Sequence, residues 1–110
     1  IVTLIVGNKL VVANLGDSRA VLVRDDRAVQ LTIDAEPNIP RFDEQVRALG
    51  GIIYNNRVFG SLATPAAIGD HRNMSISEDK RKSIVNIPEI SLFEFVPGRD
   101  RVVIGCDGQW

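Results

Sequence analysis

The chain has one cysteine, Cys106, and one histidine, His71, in 110 residues. A lone cysteine excludes an internal disulfide framework and fits a reducing, intracellular setting, cytoplasmic or nuclear. Cys106 lies in an apolar run with no base paired to it in sequence, so it reads as a buried, inert thiol rather than a nucleophile. Neither sign of charge is in excess: 13 Lys and Arg stand against 14 Asp and Glu, for a net charge of -1. That balance leaves no basic stripe for nucleic acid and no polybasic patch for an anionic membrane. No apolar run approaches the roughly 20 residues that a membrane-spanning helix needs. The glycines follow neither the P-loop nor the dinucleotide pattern, and no serine has a nucleophile-elbow context. Internal repeats and low-complexity tracts are absent. So is an initiator methionine: Ile1 opens inside an apolar run and Trp110 follows directly on a loop signal. Residues 1–110 are therefore expected to form a partial domain, truncated at both ends, with a core too small to close by itself.

What the chain does have is a series of short β-branched runs. Ile1 to Val6 reads as a strand, Gly7-Asn8 as a turn and Lys9 to Leu15 as the returning strand. The unbroken apolar run Leu10-Val11-Val12-Ala13 suggests a sheet covered on both faces. Ala20 to Arg24 and Ala28 to Leu31, joined by Asp25-Asp26, extend this to an antiparallel meander. The texture then changes. Phe42, Val46 and Leu49 stand at helical spacing after Pro40, and Gly50-Gly51 supplies the stop. Asn55-Asn56 sits between Ile52-Ile53-Tyr54 and Arg57-Val58-Phe59, which predicts a hairpin. Leu62 to Ile68 is expected to form a short helix. His71 to Ser83, with the charge run Glu78 to Lys82, is expected to be a solvated loop. Ile84 to Ile90 reads as extended around Pro88. Ser91 to Val96 and Arg101 to Cys106 complete the pattern as a last hairpin about Pro97-Gly98-Arg99-Asp100.

Two carboxylates stand out against this apolar background. Asp17 lies in Ala13-Asn14-Leu15-Gly16-Asp17-Ser18-Arg19-Ala20-Val21-Leu22, and Asp107 follows Arg101-Val102-Val103-Ile104-Gly105-Cys106. A carboxylate beside a hydrophobic sheet is costly without a partner. Gly16 and Gly108 flank the two and permit close backbone approach. Two such groups could bind hard divalent cations through oxygen, and a pair of ions about 3.5–4 Å apart would activate water and clamp a phosphate. Equally, each aspartate could cap its own turn. Arg19 could grip an anion through its planar fork or pair with a nearby carboxylate. His71 could act as an acid or a ligand, or be an exposed polar residue.

The order of short motifs then decides more than any one of them. Ala13 to Leu22 resembles closely a segment that recurs in metal-dependent protein serine/threonine phosphatases of the 2C type. Leu31-Thr32-Ile33-Asp34-Ala35-Glu36-Pro37 is similar to that family's Leu-Thr-x-Asp-His-x-Pro. Glu44, followed by Val46 to Gly51, is similar to its Glu-x-x-Arg-Ile-x-x-x-Gly-Gly. Arg57 to Ala63, Gly69-Asp70 and Ile87-Pro88-Glu89-Ile90 follow in family order. Val103-Ile104-Gly105-Cys106-Asp107-Gly108-Gln109-Trp110 resembles its Leu-Ala-Ser-Asp-Gly-Leu-Trp.

The resemblance implies an α+β fold: a sandwich of two antiparallel sheets flanked by helices, of which this chain is a fragment. It implies hydrolysis of phosphoserine and phosphothreonine on proteins by water activated at a dinuclear Mg or Mn centre, with no phosphoenzyme. Asp107 would be a metal ligand. Asp17 would belong to an additional, weaker metal position, with Gly108 and Arg19 supporting the site. It implies a phosphoprotein substrate and leaves room for attached regulatory domains, while the balanced charge and short apolar runs argue for no nucleic acid and no direct membrane insertion. Ala35 departs from the family's histidine, and Thr64-Pro65-Ala66-Ala67-Ile68 departs from its Ser-Arg-Ala-Phe. The family's N-terminal Asp-Gly-His and C-terminal Asp-Asn are not in these residues. The isolated chain is accordingly expected to be inactive. A pseudophosphatase that binds or regulates a partner is the alternative from a different class.

Overall fold

A computed structural model describes residues 1–69 and 84–110. In chain order it contains β1 (Val2–Val6), β2 (Lys9–Asn14), β3 (Arg19–Arg24), β4 (Arg27–Gln30), α1 (Pro40–Ala48), β5 (Ile53–Tyr54), β6 (Arg57–Val58), β7 (Glu89–Glu94) and β8 (Arg101–Gly105), then a 3-10 turn, Asp107–Gln109. The chain divides into two compact units, Ile1–Asp34 with Pro88–Trp110, and Ala35–Ile87. Among the described residues no helix is long and apolar enough to cross a membrane. The predicted charge run Glu78 to Lys82 and His71 lie outside the described residues.

The first unit is built from two three-stranded antiparallel sheets, ordered β1-β2-β7 and β4-β3-β8. The turns joining β1 to β2 and β3 to β4 are legible in their residues. Gly7 takes φ 60°, and Asp25 and Asp26 take φ 50° and 59°. The paired positive φ values at Asp25-Asp26 match the right-handed twist of the flanking strands, and Asp tolerates that region. The predicted single meander is corrected here. The chain leaves one sheet after β2 and enters the other at β3, turning at Gly16, whose φ is 109°. The predicted last hairpin is corrected too. β7 pairs with β2, whereas β8 pairs with β3. Residues 95–100 therefore form a crossover between the two sheets.

The inner faces meet in one core. Leu10 and Val12 of β2, Ala20 and Leu22 of β3, and Leu31 are buried, with Ile1, Phe93, Phe95 and Val102 packed against them. Alternation therefore exists on β2 but is masked in sequence, since Val11 and Ala13 on its other face are apolar too. That outer face carries Val2, Leu4, Ile90 and Leu92, each more than half exposed. Among the described residues this sheet is covered on its inner face and not, as expected, on both.

At one end of this core Arg24 grips Asp100 with two bonds, Nε to Oδ1 at 2.7 Å and Nη2 to Oδ2 at 2.6 Å. The Val96 amide donates to the same carboxylate at 2.7 Å, and Arg99 pairs with Asp25. The Asp100 side chain is fully inaccessible. Hydrogen bonding from Arg24, aided by the Val96 amide, holds its carboxyl down at about 2 against an ordinary 3.8. A depressed carboxyl contributes stability above its unfolded value and loses it as pH falls through the folded value. Stability is thus expected to decline between 3.8 and about 2. Asp100→Asn should lower the unfolding midpoint near neutrality and flatten the profile in that acid window. Thermal unfolding followed by circular dichroism checks this, and parallel profiles would refute it.

The second unit holds α1 and the β5–β6 hairpin. Pro40 occupies the first helical position, where its missing N–H costs nothing. Phe42 and Val46 are buried, while Leu49 is exposed. Arg47 pairs with Asp43 one turn earlier at 2.8 Å. The predicted stop has its glycine in the left-handed region: Gly50 takes φ 81°. Gly50 N–H donates to Arg47 O at 2.9 Å and Gly51 N–H to Val46 O at 2.8 Å, which satisfies two helix-end carbonyls. Asn55 and Asn56, at φ 50° and 57°, form the predicted hairpin turn. The short helix expected over Leu62 to Ile68 does not form. Those residues make isolated bridges, Val58 with Leu62 and Ala66 with Val85. Thr64 precedes a proline, which disfavours helical backbone, and its hydroxyl reaches Ala35 O at 3.3 Å.

Candidate metal centre

Asn14 ends β2 with its side chain buried, 5% exposed, and its Nδ2 donates to Ile33 O at 3.1 Å. A longer contact of 3.4 Å runs from Nδ2 to Gly16 O. These bonds fold the chain at Gly16, so that Asp17 projects from the corner and is exposed. β3 then starts at Arg19, which is paired in register with Gly105, the last residue of β8. Asp17 lies two residues before that pair and Asp107 two residues after it. The register therefore brings the two carboxylate-bearing turns to the same end of the β3–β8 ladder, although 90 positions of sequence separate them.

The Asp107 turn is closed by its own short bonds. Cys106 is extended, with ψ -178°, and Gln109 N–H donates to Cys106 O at 2.9 Å. The Trp110 indole Nε1–H donates to Gly105 O at 3.0 Å. Gly105 is packed too closely for a side chain, since a Cβ there would lie 2.8 Å from both Cβ and Cγ of Gln109. At Gly108 a Cβ would meet only Cys106 Sγ, at 3.8 Å. The expectation of a buried Cys106 is corrected: β8 stops at Gly105, and the thiol is exposed just past the strand end.

Arg19 has found a carboxylate. Its Nη2 and Nε approach Asp34 Oδ2 at 2.6 and 3.1 Å. Gln30 Nε2 supports the same segment by donating to Thr32 O at 2.7 Å. The guanidinium carbon lies 5.4 Å from the centre of the Trp110 ring. Asp17 and Asp107, by contrast, have no hydrogen-bond or ion-pair partner among the described residues. The turn-capping alternative gains nothing from this geometry. Both are hard, exposed oxygen donors, the kind that Mg and Mn prefer. They fit part of such a site and not all of it: among the described residues no group of three His, Cys, Asp or Glu could hold an ion. Gly105, Asp34 and Trp110 were not singled out by sequence reasoning. The signal for Asp34 was its motif, and for Trp110 its being the one tryptophan.

The protein phosphatase 2C family model matches residues 1–110. The chain belongs to that family. Among its relatives, a protein phosphatase of Caenorhabditis elegans, ppm-1.G, is 37% identical over 99% of this chain and 23% of its own length. Protein phosphatase 2C homolog 2 of Hypocrea jecorina is 39% identical over 99% of this chain and 25% of its own. The chain thus spans about a quarter of these two protein phosphatases. A solved phosphatase from Toxoplasma gondii superposes with a TM-score of 0.78 at 24% identity, over 93% of this chain and 31% of its own. That likeness shows the fold alone. A Caenorhabditis elegans sex determining protein superposes at 0.76 with 27% identity, over 92% of this chain and 24% of its own. The two-sheet arrangement of the first unit is accordingly a protein phosphatase 2C arrangement.

Proposed function

We propose that this chain is part of a 2C-type phosphatase domain that hydrolyses phosphoserine and phosphothreonine on intracellular proteins, and that it supplies Asp107 and Asp17 to the metal centre. The observation that carries this is the shared ladder end: two exposed carboxylates with no partner among the described residues lie there, while the neighbouring Arg19 is engaged by Asp34. Asp107 would hold one of two or more Mg or Mn ions, and Asp17 an additional, weaker one. Such ions supply activation of water and neutralisation of charge on phosphoryl oxygens. The chain's own contribution is to hold the two carboxylates in place, with Arg19 and Gly108 as support. Arg19 turns its Nε and Nη2 to Asp34.

The family's Asp-Gly-His and Asp-Asn motifs, which would bring the remaining ligands, are not in these residues, so the isolated 110 residues should release no phosphate. The complete domain should release phosphate from a phosphothreonine peptide when Mg or Mn is added and stop when the ion is chelated. Metal-dependent release by the isolated chain would overturn the shared-site reading. Failure of the complete domain at every ion concentration would favour the pseudophosphatase reading. That alternative rests on Ala35, buried at 2% exposure where the family has histidine, and on the altered Thr64 to Ile68 segment.

A further inference from the structure

We propose that Arg19 and Trp110 form a positioning latch that fixes the Asp107 turn against the Asp17 corner, an inference that rests on the phosphatase reading above. Trp110 touches both strands of the ladder end with one side chain. Its Nε1–H bonds Gly105 O, the last carbonyl of β8, while its ring receives Arg19, the first residue of β3. Gly105 and Arg19 are themselves register partners. The segment from Gly105 to Trp110 is thereby closed into a loop with Asp107 inside it. A guanidinium within about 6 Å of an indole is attracted to the ring face. The forked bond to Asp34 fixes the guanidinium plane, which a lysine at this position could not reproduce. Asp17 lies two residues from the same arginine. The same cation thus anchors the start of β3, into which the Asp17 corner leads, and the ring that closes the Asp107 loop.

Neither Arg19 nor Trp110 touches the reacting atoms in this scheme, so each acts through the carboxylates. The alternative is that Trp110 merely covers the end of the sheet. The two differ in what they do to ion affinity. In the complete domain, Mn binding would be titrated by calorimetry for wild type, Trp110→Ala, Trp110→Phe, Arg19→Lys and the double variant Trp110→Ala with Arg19→Lys. Loss of an outer partner of a metal ligand typically weakens binding about 10-fold to 100-fold, and Trp110→Ala is expected at about 10-fold. Trp110→Phe keeps a ring face but loses the N–H, and should fall between Trp110→Ala and wild type. The double variant should bind no more weakly than Trp110→Ala, because the two residues act as one unit. KM for a phosphopeptide should stay unchanged, while kcat lost at limiting Mn should return at saturating Mn. Lower unfolding midpoints with unchanged Mn affinity in Trp110→Phe and Arg19→Lys would overturn the latch and leave the phosphatase reading intact. A wild-type domain that binds no Mn would overturn the phosphatase reading and the latch with it.

Discussion

Asp107→Asn in the complete domain is expected to lower Mg- or Mn-supported turnover by at least about 100-fold, more than the loss of an outer partner of a metal ligand. The substitution keeps the side chain's size and removes its charge. A neutral amide still offers one oxygen, but it cannot offset the charge of a divalent ion. The side chain is exposed and has no partner among the described residues, so the folded state should lose little. Activity and stability are thus expected to separate. Turnover collapses while the metal-free unfolding midpoint stays within a few degrees of wild type. Asp17→Asn should separate them less sharply: turnover should recover when Mg or Mn is raised, because this carboxylate serves the weaker position. Unchanged turnover in Asp107→Asn would remove the metal role of that residue. An unshifted ion titration in Asp17→Asn would do the same for the corner.

The parts of the fold legible in sequence are those set by neighbours in the chain. Asp25-Asp26 and Asn55-Asn56 adopt the positive φ values that their residue types permit, and Gly50-Gly51 ends α1 with the two bonds a glycine stop allows. Strand existence was also legible, from the β-branched runs of β1, β3 and β8. Strand partners were not. β7 and β8 are adjacent in sequence and read as a hairpin, yet the choice between pairing with each other and pairing with β2 and β3 depends on which sheet each strand completes. Period-two patterning cannot report this, because apolar residues on both sides of β2 hide its buried face. The same limit governs the site. Asp17 and Asp107 were found through motif order, but their shared ladder end follows from the β3–β8 register. Arg19 was placed between an anion and an ion pair. Asp34 decided the matter from 15 positions away, beyond the reach of any local spacing rule. Cys106 looked buried because the apolar run ahead of it suggested that the strand continued. The strand ends one residue earlier.

Gly105 is the residue whose importance the sequence hid most fully, since the expected strand, Arg101 to Cys106, runs straight through it. Its φ is not in the left-handed region, so backbone conformation alone would accept alanine. Space would not. The added Cβ would stand 2.8 Å from both Cβ and Cγ of Gln109, and 3.4 Å from Trp110 Nε1. Gln109 Cβ is fixed to the backbone of the 3-10 turn, so the turn itself has to move, carrying Asp107 and loosening the indole bond to Gly105 O. A displacement of about 1 Å in a catalytic constellation can cost on the order of 100-fold in rate. Gly105→Ala is therefore expected to lower kcat by about 10-fold to 100-fold, by the same argument from misplacement. Loss of Mn affinity should accompany it. The cause can be isolated by removing the obstruction: Gln109→Gly takes away both crowded carbons, so Gly105→Ala combined with Gln109→Gly should recover much of the lost Mn affinity. That recovery is the decisive measurement. A double variant as impaired as Gly105→Ala alone would show that crowding against Gln109 is not what keeps glycine at this position.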